Sequence, residues 1–295
     1  MVQRARTIGD FERLLGSGIS PESVGQGMAI ALRPTDVIIS PYGKCGTTWL
    51  QQMVHTLRTR GDMDFDDISR VVPWIETSTG LGLDLDAEQR ADPRAFKSHL
   101  PWGPMPRGGR YLISVRQPTR ALISLYRFMS GWFLEPEAVS LEEFSHWFLD
   151  RGEGQDYWTH FVSWWQRRDD DDVLVLAFEL MKEHPERHVR RVSNFIGVEA
   201  DDDLIALGVE NSSLSFMLRH EDKFDDLLMR RMSEEVIGLP PGSESAKVKA
   251  QAPEGAFELS EAVLARLEET WAERVVPACG LASYDDAVEH LRAEV

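Results

Sequence analysis

Lys44, Thr47 and Thr48, set around Gly43 and Gly46, have the types and spacing to hold a phosphorylated anion. The β-branched run Val37-Ile38-Ile39 leads into them, and Leu50, Met53, Val54 and Leu57 follow at helical spacing, so residues 36–57 predict a strand, a turn and a helix. The glycines let the backbone approach a ligand closely, the first amides of the helix lack intrahelical partners, and Lys44 adds a full positive charge. A phosphate is the natural occupant. The spacing is not that of a nucleotide triphosphatase, GxxxxGK followed by Ser or Thr, because Lys44 precedes Gly46 instead of following a second glycine.

Lys44, Gly46, Thr47, Thr48 and Trp49 resemble the 5′-phosphosulfate loop, PKxGTTW, of sulfotransferases that use 3′-phosphoadenosine 5′-phosphosulfate (PAPS). Gly43 stands where proline is common, and Cys45 where serine is common. A second segment is similar to the same family: a predicted strand ends in Arg116, and Ser124 follows eight positions later on the next helix, the pair that in such enzymes holds the 3′-phosphate. An arginine at a strand's carboxyl edge presents a planar fork of donors, and a serine on the first turns of the following helix faces the same crevice. A third segment, Lys97-Ser98-His99-Leu100-Pro101, is similar to the family's K-T-H-x-P, whose histidine is the general base. A histidine titrating near neutrality takes a hydroxyl proton at physiological pH, worth roughly 10²–10⁴-fold in rate. Of the eight histidines, only His99 falls at the predicted end of a parallel strand.

Other matches are partial. Ser213, Leu214 and Met217 resemble an adenine-side segment T-S-F-x-x-M, with Leu214 replacing the aromatic, so stacking there becomes aliphatic packing. Phe178 stands where a tyrosine often reaches the nucleotide. Lys247 and Lys249 keep the cations, but not the glycines, of the family's R-K-G-x-x-G segment. The resemblance implies transfer of a sulfuryl group from PAPS to a hydroxyl of a small acceptor by in-line displacement. His99 is then the base, and Lys44 and Lys97 stabilise charge on the transferring group. The loop from Lys44 and Cys45 to Trp49 holds the 5′-phosphate, Arg116, Ser124 and Lys249 hold the 3′-phosphate, and Trp49 packs on adenine, with no metal. Two other functions stay open: a nucleotide-dependent small-molecule kinase, and a catalytically silent nucleotide-binding protein.

Strands at 36–39, 94–101, 110–116 and 173–178 alternate with helical patterns at 118–126, 141–150, 156–168, 185–196 and 260–275. That alternation predicts a three-layer α/β fold, a mostly parallel sheet with helices on both faces, as the P-loop-like sulfotransferase fold also implies. The 295 residues are read as a single domain, 1–295. A short helix within 7–32 is expected to turn Phe11, Leu14 and Leu15 inward, and 238–255 reads as a long exposed loop suited to a lid.

Composition narrows the class further. A net charge of −17 argues against a nucleic-acid surface, so cations that bind a nucleotide must converge locally. No run approaches the length of a membrane span, and two cysteines, Cys45 and Cys279, give no disulfide framework; both point to a cytoplasmic protein. The acidic turn 62–67 fails as a calcium loop, with Asp67 and Pro73 where glycine and glutamate are required. His184 and His188 have helical spacing without HExxH or a third ligand. The expected partner is a small acceptor with an apolar or aromatic part, with Trp74 and Trp102 as candidate lining; a homodimer is left open.

Overall fold

The computed structural model describes residues 3–294 apart from 153, 251 and 254. Four strands, β1 (Val37–Ile39), β2 (Ala95–Lys97), β3 (Arg110–Val115) and β4 (Val173–Ala177), form one parallel sheet in the order β2-β1-β3-β4. Ile38 lies opposite Phe96 on one side and Tyr111 on the other, and Ile113 opposite Val175. Almost every strand residue is buried, which is why the strands read as continuous apolar runs instead of alternating ones.

Alternate strand residues feed two apolar layers. Ile38, Phe96, Tyr111, Ile113 and Val175 face an aromatic layer that includes Trp158, Phe161, Trp164 and Trp165 of the helix Tyr157–Trp165. Val37, Ile39, Ala95, Leu112 and Leu176 face the helices Thr47–Thr59, Pro185–Ile196 and Asp202–Asn211 through Leu50, Val54, Val189, Val192 and Leu204. After β1 the chain builds β2 on one side and then returns to build β3 on the other, so the strand order reverses at β1. Ligands of open α/β sheets bind at the carboxyl ends of strands beside such a reversal.

Several local expectations change. The N-terminal region holds two helices, Ile8–Leu15 and Pro21–Met28, broken at Gly16; Phe11 and Leu14 are buried but Leu15 is exposed. β2 stops at Lys97 because Ser98 and His99 turn toward a side chain, as described below. Phe178 opens the helix Phe178–Glu183 instead of closing β4. The 238–255 segment is a loop exposed only in part: Pro241, Gly242, Glu244 and Pro253 are exposed, while Leu239, Ser243, Ser245 and Val248 are buried, with Ser245 Oγ held by Asp225; residues 251 and 254 lie outside the described residues.

Candidate active site

The carboxyl ends of all four strands contribute. After β1 the chain passes through Ser40, braced by a 3.1 Å bond from its Oγ to Leu100 O and by His160 Nε2 at 2.9 Å from its carbonyl. Cys45 N donates to Tyr42 O, closing a turn in which Lys44 adopts φ 66°, a conformation rare outside glycine. Gly46 then takes φ 106°, and a Cβ there would meet Ser114 Oγ at 3.0 Å and the Phe178 ring at 3.1 Å. Only glycine fits. Gly46 caps the helix Thr47–Thr59 with no side-chain acceptor, so its first amides are left for a ligand. Thr47 Oγ1 and Trp49 Nε1 are buried without a hydrogen-bond partner among the described residues. Unsatisfied donors around a bare helix start are what an anionic ligand would complete. Burial pushes the Cys45 thiol up to about 12, so it is a protonated small residue, not a nucleophile.

Arg116, directly after β3, donates to Lys44 O at 2.8 Å and lies over the Phe178 ring at 4.3 Å. Phe178 in turn meets the Trp49 indole edge-on at 5.2 Å. Trp49 and Met217 pack into the same apolar layer, with Ser213 capping the helix Leu214–Arg219 that carries Met217. Leu214, the first residue of that helix, is 53% exposed. Ser124 sits half-buried in the second turn of the helix Pro118–Met129, which begins just after Arg116.

At the end of β2, Lys97 is buried with its Nζ 3.7 Å from the centre of the Trp74 ring. His99 Nδ1 lies 2.8 Å from Pro41 O; a carbonyl only accepts, so Nδ1 carries the proton and Nε2 keeps its lone pair. Burial, reinforced by the Lys97 charge, holds the ring well below its ordinary 6.5 despite the bond to Pro41. His99 is a neutral, fixed tautomer beside the Trp74 indole, 5.1 Å away edge-on. Trp102, by contrast, packs against Tyr111 and Trp164 and beneath Arg107, so of the two expected lining tryptophans only Trp74 stands at His99.

Lys247 belongs to this cluster. Its carbonyl accepts from Lys44 Nζ at 3.3 Å, and its ammonium pairs with Asp226 at 2.7 Å. Burial, then Lys247, pushes Lys44 down to about 7; burial, then Lys247, pushes Lys97 down to about 8; Asp226 opposes both shifts. Burial works to raise the Asp226 carboxyl, yet Lys247, Lys97 and Lys44 together hold it below the ordinary value. Lys249 lies further off, bonded to Arg127 O at 2.9 Å and paired with Glu244 at 2.8 Å. Lys247 thus sits beside Lys44 and Lys97, and the charge of Lys249 also acts on Lys44.

Two residues outside every recognised motif enter the site, Asp226 and Glu76. Glu76 Oε1 accepts from Ser98 Oγ and His99 N. No spacing in the chain signals either. Elsewhere, His188 turns its Nδ1 to His184 O at 2.9 Å, as in an ordinary helix, and among the described residues no three His, Cys, Asp or Glu side chains gather as metal ligands. Two open surface clefts, of about 270 and 390 Å³, lie at the amino ends of the strands beside Gly109 and Asp172, and between the helices Ile8–Leu15 and Leu141–Leu149. Neither coincides with the site. Among the described residues no helix is long and apolar enough to cross a membrane.

Residues 34–242 match the family described as the sulfotransferase domain. Sulfotransferase 1B1 of Canis lupus familiaris is 29% identical over 198 residues, covering 63% of this chain and 67% of its own. Sulfotransferase 2A1 of Rattus norvegicus is 29% identical over 217 residues, 70% of this chain and 75% of its own. Among solved structures, a retinol dehydratase in complex with androsterone and the inactive cofactor PAP superposes with a TM-score of 0.67 at 17% identity, over 90% of this chain and 94% of that one. A mouse sulfotransferase complexed with PAP gives 0.64 at 17% identity, over 95% and 96%. The sheet and its flanking helices are therefore the sulfotransferase fold, and the chain belongs to the family of sulfotransferases, the enzymes that draw their sulfuryl group from PAPS.

Proposed function

We propose that this chain transfers the sulfuryl group of PAPS to the hydroxyl of a small acceptor, with His99 as general base. The observation that carries the reading is the His99 tautomer: Nδ1–H is committed to Pro41 O, which leaves Nε2 as the free basic nitrogen beside the buried Lys97. The acceptor oxygen gives its proton to Nε2 as it forms a bond to sulfur, and the bond from sulfur to the 5′-phosphate oxygen breaks, releasing 3′-phosphoadenosine 5′-phosphate (PAP). Lys44 and Lys97 stabilise the charge that builds on the leaving and transferring oxygens. The uncapped start of the helix Thr47–Thr59, with Thr47 and Thr48, takes the 5′-phosphate; Arg116, Ser124 and Lys249 take the 3′-phosphate; Trp49, Phe178 and Met217 take the adenine. The lysines fill the cationic role without a metal.

Residues 1–295 act as one catalytic domain in this reading, since both apolar layers rest on the same sheet. The acceptor carries an apolar or aromatic part that packs on Trp74; the androsterone and retinol bound by retinol dehydratases of the same fold are acceptor-sized molecules of that kind. Free Cys45 and Cys279 suit a reducing, cytoplasmic setting. His99→Ala should abolish turnover of PAPS over a panel of phenols, alcohols and sterols while PAP binding, measured by calorimetry, stays near that of the unaltered chain. Turnover that survives the substitution would remove His99 from the mechanism, and loss of both together would make it a structural residue.

A further inference from the structure

Residues 73–76 run alongside β2 without joining the sheet. Lys97 N donates to Pro73 O at 2.8 Å and Ile75 N to Lys97 O at 2.9 Å, a single parallel bridge between Trp74 and Lys97. The bridge delivers Glu76 to the turn that follows β2. There its Oε1 accepts from Ser98 Oγ at 3.0 Å and from His99 N at 2.9 Å, while Oε2 is buried with no hydrogen-bond partner among the described residues. Burial raises the Glu76 carboxyl above the ordinary range, in spite of the donors aimed at it. Its own amide and the Trp74 side chain also act to lower it. A buried carboxyl is costly, and a fold that only needed to end a strand could do so with a backbone bond.

The two bonds on His99 act at opposite ends of the residue. Pro41 O holds the ring through Nδ1, and Glu76 holds the backbone amide. Ser98 Oγ, also bound to Glu76, accepts from Leu100 N at 3.1 Å, so the one carboxyl organises three successive residues. Ser98 N donates to Ile39 O, and Leu100 O accepts from Ser40 Oγ and Trp164 Nε1, so the ends of the turn are anchored and Glu76 is the acceptor that holds the His99 amide between them. We propose that Glu76 is the positioning residue for His99, its carboxyl oxygen fixing the turn 98–100 so that Nε2 is presented in one orientation to the acceptor oxygen. The inference rests on His99 being the base, and assigns Glu76 no contact with either substrate.

Reach, and not charge, is the property this role needs. Glu76→Gln keeps an oxygen at the same distance without the charge; Glu76→Asp keeps the charge but falls short; Glu76→Ala keeps neither. In the full chain, with PAPS and 2-naphthol or, where that phenol is not turned over, the best acceptor of the panel, Glu76→Ala and Glu76→Asp should lower kcat on the order of tenfold to a hundredfold, the effect of a misplaced catalytic group. KM for PAPS and PAP affinity should stay unchanged, and Glu76→Gln should recover most of the lost rate. The His99 imidazole resonances in nitrogen-correlated NMR give a readout independent of any acceptor: the Nδ1–H tautomer should dominate in the unaltered chain and in Glu76→Gln, and give way to a mixture in Glu76→Ala. An unchanged kcat and tautomer in Glu76→Ala, or a faster Glu76→Asp than Glu76→Gln, overturns the proposal. If Glu76→Ala does not fold, the Gln and Asp variants decide. His99→Ala run in parallel separates the two failures, because surviving turnover there removes the base itself while the tautomer signature still judges Glu76.

Discussion

Lys44 and Lys97 are ammonium groups withdrawn from water and crowded by a third lysine, and that sets how the site answers to pH. Burial and Lys247 bring Lys44 to about 7 and Lys97 to about 8, so the free chain sheds these charges as pH rises through that interval. In the proposed function a polyanionic nucleotide binds the protonated lysines. Its affinity should therefore fall with rising pH across the interval, and binding near pH 8 should take up protons. Calorimetry of PAP in two buffers of different ionisation enthalpy measures the uptake; proton release, or an affinity that does not change across the interval, contradicts the account. His99 answers differently: burial, then the Lys97 charge, keeps its ring neutral at physiological pH, while Asp226 opposes the loss of charge on Lys97.

At the scale of elements, the strands are positioned by one buried ion pair. Arg94 Nε donates to Asp36 Oδ1 at 3.0 Å, joining the residue before β1 to the residue before β2, with Asp36 fully buried and Arg94 nearly so. This pair sits at the amino ends of strands whose carboxyl ends carry the loop 40–46 and His99. Breaking a buried pair strands the other charge, so Arg94→Ala should cost about 3–5 kcal/mol in urea unfolding, where a change near zero would show the pair to be replaceable by water. The strands and the long helices were legible because continuous β-branched runs, proline starts and helical stripes carry their own signals. The helices Asp202–Asn211 and Tyr284–Ala293 also carried caps, Asp201 and Ser283, that the apolar pattern alone underrated. The short helices Phe178–Glu183 and Leu227–Met232 had no such mark; at six residues they persist only by packing, through Leu180, Met181, Leu228 and Met232. Glu76 and Asp226 were illegible for a similar reason. Each acts through a contact with residues distant along the chain, 98–99 and 247, and neither has a spacing that identifies it.

Across the whole molecule, a chain of net charge −17 gathers Lys44, Lys97, Arg116, Lys247 and Lys249 at one edge of its sheet. Such convergence against the global field is meaningful only if an anion of high charge belongs there. The segment 238–250 is tied to the cluster by Lys44 to Lys247 O, by Lys247 to Asp226 and by Lys249 to Arg127 O. Its glycines and prolines suggested an open loop; the pairing partners that fold it down lie too far along the chain for composition to reveal. The central claim is that this edge recognises a nucleotide phosphorylated at both its 3′ and 5′ positions, and calorimetric titration of the full chain with PAP and with adenosine 5′-phosphate tests it most directly. PAP should bind far more tightly, and Arg116→Ala should remove roughly 2–5 kcal/mol of that advantage, the cost of losing one partner of a desolvated charged pair. Equal affinity for the two nucleotides, or an Arg116→Ala variant that binds PAP as well as the unaltered chain, would contradict it.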